Sequence, residues 1–197
     1  MKRRHFSSSH PPAGGSTRRV FLVGSLAAAV AALLPAPLRA STSDPSGRGA
    51  PGRELAFRNI HTGEEVSAVF RSDGRYLSEG RGAIDHVLRD HRTGDVREID
   101  AGLLDLLADL REALGAPAPY SVISGYRSPA TNAMLAARSG GVSPRSLHMD
   151  GLAVDVALPG IPLPRLREAA LDLGRGGVGY YPGPGFVHVD VGRVRRW

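Results

Sequence analysis

The segment Ser146-Leu147-His148-Met149-Asp150-Gly151-Leu152-Ala153-Val154-Asp155-Val156-Ala157-Leu158 runs from a polar loop into an apolar strand. His148 stands in the loop, amid Gly, Ser and Pro. Asp155 stands inside the strand Ala153–Leu158, flanked by Val154 and Val156. A carboxylate buried in such a run is costly unless a cation meets it. A metal ion would meet that need, and so would an arginine. The residues alone leave both open.

A second strand lies downstream in Phe186-Val187-His188-Val189-Asp190-Val191. Side chains alternate across a strand, so His188 and Asp190 share one face and the three valines the other. Two titratable groups on one strand face suggest a site, although a lone core histidine is a common outcome. His148, Asp155 and His188 together form a His–Asp–His set. Three such ligands with an open fourth position are typical of a catalytic zinc site, where the metal acidifies water and polarises a carbonyl.

The remaining chain supplies a scaffold for these strands. Leu55–Ile60 and Val66–Phe70 alternate around His61-Thr62-Gly63-Glu64 and predict a hairpin. Ile84–Leu88 predicts the start of a short helix that Thr93-Gly94 ends. Asp100–Leu114 predicts the clearest helix. Asp100 stands at its N-cap, Leu103, Leu104, Leu106, Leu107, Leu110 and Leu114 along one face, and Gly115 at its end. Tyr120–Ser124 reads as a strand, and Pro129–Arg138 and Pro164–Leu173 as helices. Gly176–Tyr180 and Phe186–Val191 form a final hairpin about Pro182-Gly183-Pro184-Gly185. Strands and helices alternate without a regular βαβ rhythm, which favours an α+β class with a small antiparallel sheet and flanking helices.

Charge divides the chain. Six of its 25 Lys and Arg lie in the first 40 residues, which contain no acid. The remainder carries 19 residues of each sign, so a nucleic-acid partner is disfavoured. Arg18-Arg19 precedes the apolar run Val20–Leu34, which is short against the ~20 residues of a membrane span. Leu38-Arg39-Ala40 offers a cleavage site. Residues 1–40 therefore read as a signal peptide, and Ser16–Leu22 resembles the twin-arginine type. This implies passage through the twin-arginine machinery to the periplasm, with no stable membrane span after processing. Residues 41–53 are rich in Ser, Pro and Gly and read as a linker, leaving 54–197 as the working domain. The chain has no Cys, which excludes disulfides, a thiol nucleophile and any thiolate metal site.

The Ser146–Asp155 segment resembles the S-x-H-x-x-G-x-A-x-D motif of the zinc D-Ala-D-Ala carboxypeptidase superfamily, which shares its fold with the signalling domain of hedgehog. Ser124-Gly125-Tyr126-Arg127-Ser128-Pro129, with Asn132, resembles the S-G-[YF]-R-[ST] loop of that group. Gly176-Gly177-Val178-Gly179-Tyr180-Tyr181-Pro182 with Phe186–Asp190 is similar to its murein endopeptidase K branch. The resemblance implies one Zn²⁺ held by His148, Asp155 and His188. It implies that Arg127 anchors or polarises a substrate, and that the substrate is a peptidoglycan stem peptide or crosslink. Ser124, Ser128 and Tyr181 are candidate substrate contacts.

The general base departs from the pattern. Many relatives place Glu or His just before the last ligand, where this chain has Gly185, Phe186 and Val187. Asp190 is the expected substitute, with orientation of a ligand as its other reading. A metal-retaining wall-binding module, a D,D- or L,D-carboxypeptidase and an amidase cutting the sugar–peptide link remain as alternatives to an endopeptidase.

Overall fold

The structure is a computed structural model that describes residues 52–138 and 141–197. The expected signal peptide and nearly all of the expected linker lie outside these residues. In chain order the elements are β1 (Arg53–Asn59), β2 (Glu65–Ser72), β3 (Arg75–Tyr76), α1 (Ser78–Val87), α2 (Ala101–Leu114) and β4 (Tyr120–Ser124). There follow α3 (Pro129–Arg138), a 3₁₀ turn (Leu147–Asp150), β5 (Ala153–Ala157), α4 (Leu163–Leu173), β6 (Gly177–Tyr181), β7 (Phe186–Asp190) and β8 (Arg195–Arg196). The strands form one sheet in the order β3-β2-β1-β4-β5-β7-β6-β8.

The α+β class holds, but the sheet is broader than the small one expected. It is also not wholly antiparallel, because β1 pairs with β4 and β6 with β8 in parallel. A parallel pair needs a long crossover. The segment carrying α1 and α2 supplies it between β1 and β4. The two-residue β8 had no detectable period in the sequence.

Helix α2 forms as its pattern predicts. The Asp100 side chain accepts hydrogen bonds from the backbone N–H groups of Gly102 and Leu103, and Gly115 ends the helix in the left-handed conformation. All six leucines of its apolar face are buried. At about 1.5–3 kcal/mol each, they form the largest share of a core completed by Val122, Val154, Val156, Val187 and Val189 from the sheet. The buried Tyr120 hydroxyl donates to the Leu107 carbonyl at 2.8 Å and fixes β4 against α2.

Helix α1 differs from expectation at both ends. It begins at Ser78 and its backbone bonds finish at Leu88, well before Thr93-Gly94. Gly80 and Gly82 lower its intrinsic helix preference, and packing against β2 compensates. Gly94 belongs instead to a turn in which its N–H donates to the Asp90 carbonyl.

Register then places the functional side chains. Ser124 pairs with Asp155, Asp155 with His188, and His188 with Gly179, forming one row across four strands. The neighbouring valines point to the helical core, so this row faces the other side of the sheet. His148 reaches it from the 3₁₀ turn. Gly151 ends that turn at φ +71°, and a Cβ there would sit 2.4 Å from the Glu98 carbonyl oxygen. The motif glycine is thus required both by its backbone angle and by close contact.

Asp100→Ala should lower unfolding free energy by about 1 kcal/mol through loss of the N-cap, while leaving metal binding unchanged. Urea unfolding with a parallel metal assay checks both. A change in metal affinity would contradict the separation of α2 from the site.

Candidate metal centre

His148, Asp155 and His188 converge, with one ligand atom from each lying within 4.8 Å of the others. His148 Nε2 is 3.2 Å from His188 Nδ1 and 3.3 Å from Asp155 Oδ1; His188 Nδ1 is 2.8 Å from that same oxygen. For metal–ligand bonds near 2.05 Å, a tetrahedron has edges of about 3.3 Å. The three separations therefore approach those around a tetrahedral metal. All three residues are buried.

The outer nitrogens fix the roles of the inner ones. His148 Nδ1 is 2.8 Å from the Gly125 carbonyl oxygen, which can only accept, so Nδ1 carries the proton and Nε2 presents a lone pair. His188 Nε2 is 3.1 Å from Asp190 Oδ2 and donates to it. With a neutral ring, His188 Nδ1 also presents a lone pair. Three electron-rich atoms then face one point, and a proton or a metal cation must stand between them.

Electrostatics agree with this reading. Burial pushes His148 below its ordinary pKa and keeps it neutral, against the pull of Asp155. Burial alone would raise Asp155, but His148 and the hydrogen bonds from both histidines hold its carboxyl well below the usual range. Burial would lower His188, yet the hydrogen bonds of Asp155 and Asp190 raise it above the ordinary value. A cation at the point of convergence would displace that proton.

Arg127 approaches from the loop after β4. Its Nη2 donates to Asp155 Oδ2 at 3.1 Å and its Nε to the Ser124 hydroxyl at 3.0 Å. Of the two partners left open for Asp155, the arginine is present at one oxygen, while the other oxygen faces the two histidines. Arg127 also lines a cleft of about 400 Å³ that contains the His–Asp–His set.

Asp190, expected either as a base or as a group that orients a ligand, stands behind the His188 ring and does not line the cleft. It shares the strand face of His188 as expected, but contacts the ring nitrogen remote from the other ligands. Its side chain is fully buried, and every acceptor position is in use. Oδ1 receives the backbone N–H groups of Gly177 and Gly192, and Oδ2 receives His188 and Arg195. Burial would raise its pKa, but these donors lower it to about 2. Such a carboxylate orients an imidazole.

Ser128, expected as a candidate substrate contact, is buried and does not line the cleft. Its buried hydroxyl accepts from Thr131 N at the start of α3, and its backbone N–H donates to the buried Asp90. Ser124 supports Arg127 and does not line the cleft. Tyr181 does line it. Three further participants had no sequence signal: the Gly125 carbonyl, Arg195 and Trp197. Arg195 donates to both Asp190 oxygens, and Trp197 lies 5.2 Å from the His188 ring.

Residues 48–197 match the family described as peptidoglycan L,D-endopeptidase MepK. The peptidoglycan L,D-endopeptidase MepK of Escherichia coli K12 is 42% identical over 180 residues, covering 91% of this chain and 96% of that protein. The protein of the same name in Shigella flexneri is equally similar. The probable peptidoglycan L,D-endopeptidase MepK of Haemophilus influenzae is 38% identical over 181 residues, covering 91% and 94% of the two chains. The chain therefore belongs to the peptidoglycan L,D-endopeptidase MepK family of peptidases.

Proposed function

We propose that this chain is an exported zinc endopeptidase that hydrolyses peptide bonds in peptidoglycan crosslinks, with the L,D selectivity named in its relatives. Family membership supports the peptidase activity. The observation that supports the metal is the convergence of His148 Nε2, Asp155 Oδ1 and His188 Nδ1, each held from behind. Imidazole and carboxylate are suitable zinc donors, and three of them leave a position open. Zinc in this position would supply Lewis acidity, polarising an amide carbonyl and acidifying water.

The protein's own groups then do the positioning. Gly125 and Asp190 fix the tautomers of the two histidines. The guanidinium of Arg127 is immobilised by Asp155 and Ser124, and its Nη1 has no hydrogen-bond partner among the described residues. That N–H group is available to the carbonyl oxygen of the cut amide and to the negative charge that develops on it. The Tyr181 hydroxyl accepts from Trp197 Nε1 at 2.7 Å, so its own proton remains free to donate into the cleft.

Residues 1–40 would deliver the enzyme to the periplasm through the twin-arginine route, where peptidoglycan is accessible. No helix among the described residues is long and apolar enough to cross a membrane. Changing Arg18 and Arg19 to Lys should leave the precursor in the cytoplasm, as cell fractionation would read. Normal export of that variant would exclude the twin-arginine route.

Purified mature protein should cut crosslinked muropeptide dimers, lose activity with a chelator and regain it with zinc. His148→Ala should abolish both turnover and zinc retention. Full turnover after metal removal would sink the metal mechanism.

Asp190→Asn should weaken zinc binding about 10–100-fold, with activity recovering at raised zinc. Arg127→Ala should retain zinc but lower kcat on the order of 10²-fold. If Asp190→Asn kept wild-type zinc affinity and lost kcat at every zinc concentration, Asp190 would be a base after all.

A further inference from the structure

The last residues of the chain enter the site through the edge of the sheet. β8 lies parallel to β6 with Val178 opposite Arg196, which brings Trp197 beside Gly179. Backbone bonds on either side secure it: Trp197 N–H donates to the Val178 carbonyl, and Tyr180 N–H donates to the Trp197 carbonyl. Gly179 itself pairs with His188 across β6 and β7. The row of Ser124, Asp155 and His188 therefore continues through a residue without a side chain.

That gap is filled by the Trp197 indole. A Cβ on Gly179 would lie 2.7–2.8 Å from three atoms of the Trp197 ring, so a larger residue there would have to move the ring. The ring reaches the His188 imidazole at 5.2 Å. Its Nε1 is fixed by the Tyr181 hydroxyl, and the Arg195 guanidinium stands 5.0 Å from its centroid. Arg195 is in turn fixed by Asp190. Tyr181 stacks on Phe186 at 4.6 Å. Phe186, Tyr181 and Trp197 all line the cleft, and Trp197 keeps 49% of its surface exposed.

We propose that the Trp197 indole is a substrate-contacting wall of the cleft, which receives the aliphatic part of the peptide residue next to the cut bond. This rests on the endopeptidase reading above. A tryptophan held at its N–H, its cation face and its underside loses little freedom when a ligand covers the rest. A half-exposed indole rigidly placed beside polar groups is a favourable surface for a hydrocarbon chain. The arginines Arg127, Arg145 and Arg195 around the same cleft suit a peptide that also carries carboxylates.

Trp197 is the only tryptophan in the chain, so its emission reports this wall alone. Crosslinked muropeptide dimer titrated into chelator-stripped mature protein should shift the emission to the blue and saturate. In the zinc-loaded enzyme, Trp197→Ala should raise KM on the same dimer at least 10-fold, with kcat within 3-fold and zinc content unchanged. Trp197→Phe should lie between this variant and wild type. Gly179→Ala, which displaces the ring, should resemble Trp197→Ala. An unchanged KM in Trp197→Ala together with unperturbed emission in wild type would overturn the proposal. So would loss of zinc from Trp197→Ala and Trp197→Phe alike, since the ring would then only support His188. If wild-type protein fails to cut the dimer but its emission still saturates, the endopeptidase reading falls and the wall stands.

Discussion

His148 Nε2, His188 Nδ1 and Asp155 Oδ1 face one another at 2.8–3.3 Å inside the protein, so that a proton or another cation has to lie between them. Desolvated acceptors held this close repel one another and raise the energy of the fold unless a cation joins them. The rest of the domain can be understood as what keeps them there. The sheet register aligns Asp155 with His188, and the 3₁₀ turn, closed by Gly151, brings His148 over them. The leucine face of α2 buries the opposite side of the sheet, so the row cannot turn inward.

Around this centre each group is fixed by a partner behind it. The Gly125 carbonyl faces His148, Arg127 holds Asp155, and Asp190 holds His188. Asp190 is itself held by two backbone N–H groups and Arg195. The chain thereby connects the last strand of the sheet to the His–Asp–His set through Arg195, Asp190 and His188. The only carboxylate lining the cleft among the described residues is Asp155, already engaged with the histidines and Arg127. The cleft therefore presents the His–Asp–His set and fixed donors, without a second Asp or Glu side chain beside them among the described residues.

Much of this was readable in the sequence. Helix α2, β4 and α3 have strong local signals, namely a leucine face with cap and stop, a short β-branched run, and a leading proline. The convergence of His148, Asp155 and His188 followed a motif that is legible within single segments. What was hidden depends on contacts between distant segments. Strand alternation could show that Asp190 shares a face with His188, but not that Gly177, Gly192 and Arg195 would occupy its oxygens. Ser128 was hidden in the same way, because its bond to Asp90 joins the loop after β4 to the distant segment between α1 and α2. β8 is two residues long and has no period to detect, so the part played by Arg195 and Trp197 appeared only with the sheet.

The central claim is that these three side chains form a cation site that the fold needs filled. Thermal unfolding of chelator-stripped mature protein during zinc titration tests it most directly. A ligand that binds only the folded state at 1,000 times its Kd adds about 4 kcal/mol. The account predicts a rise in Tm that saturates at one zinc per chain and is absent in Asp155→Asn. A Tm that stays constant through the titration, in protein shown to be folded and metal-free, would contradict it.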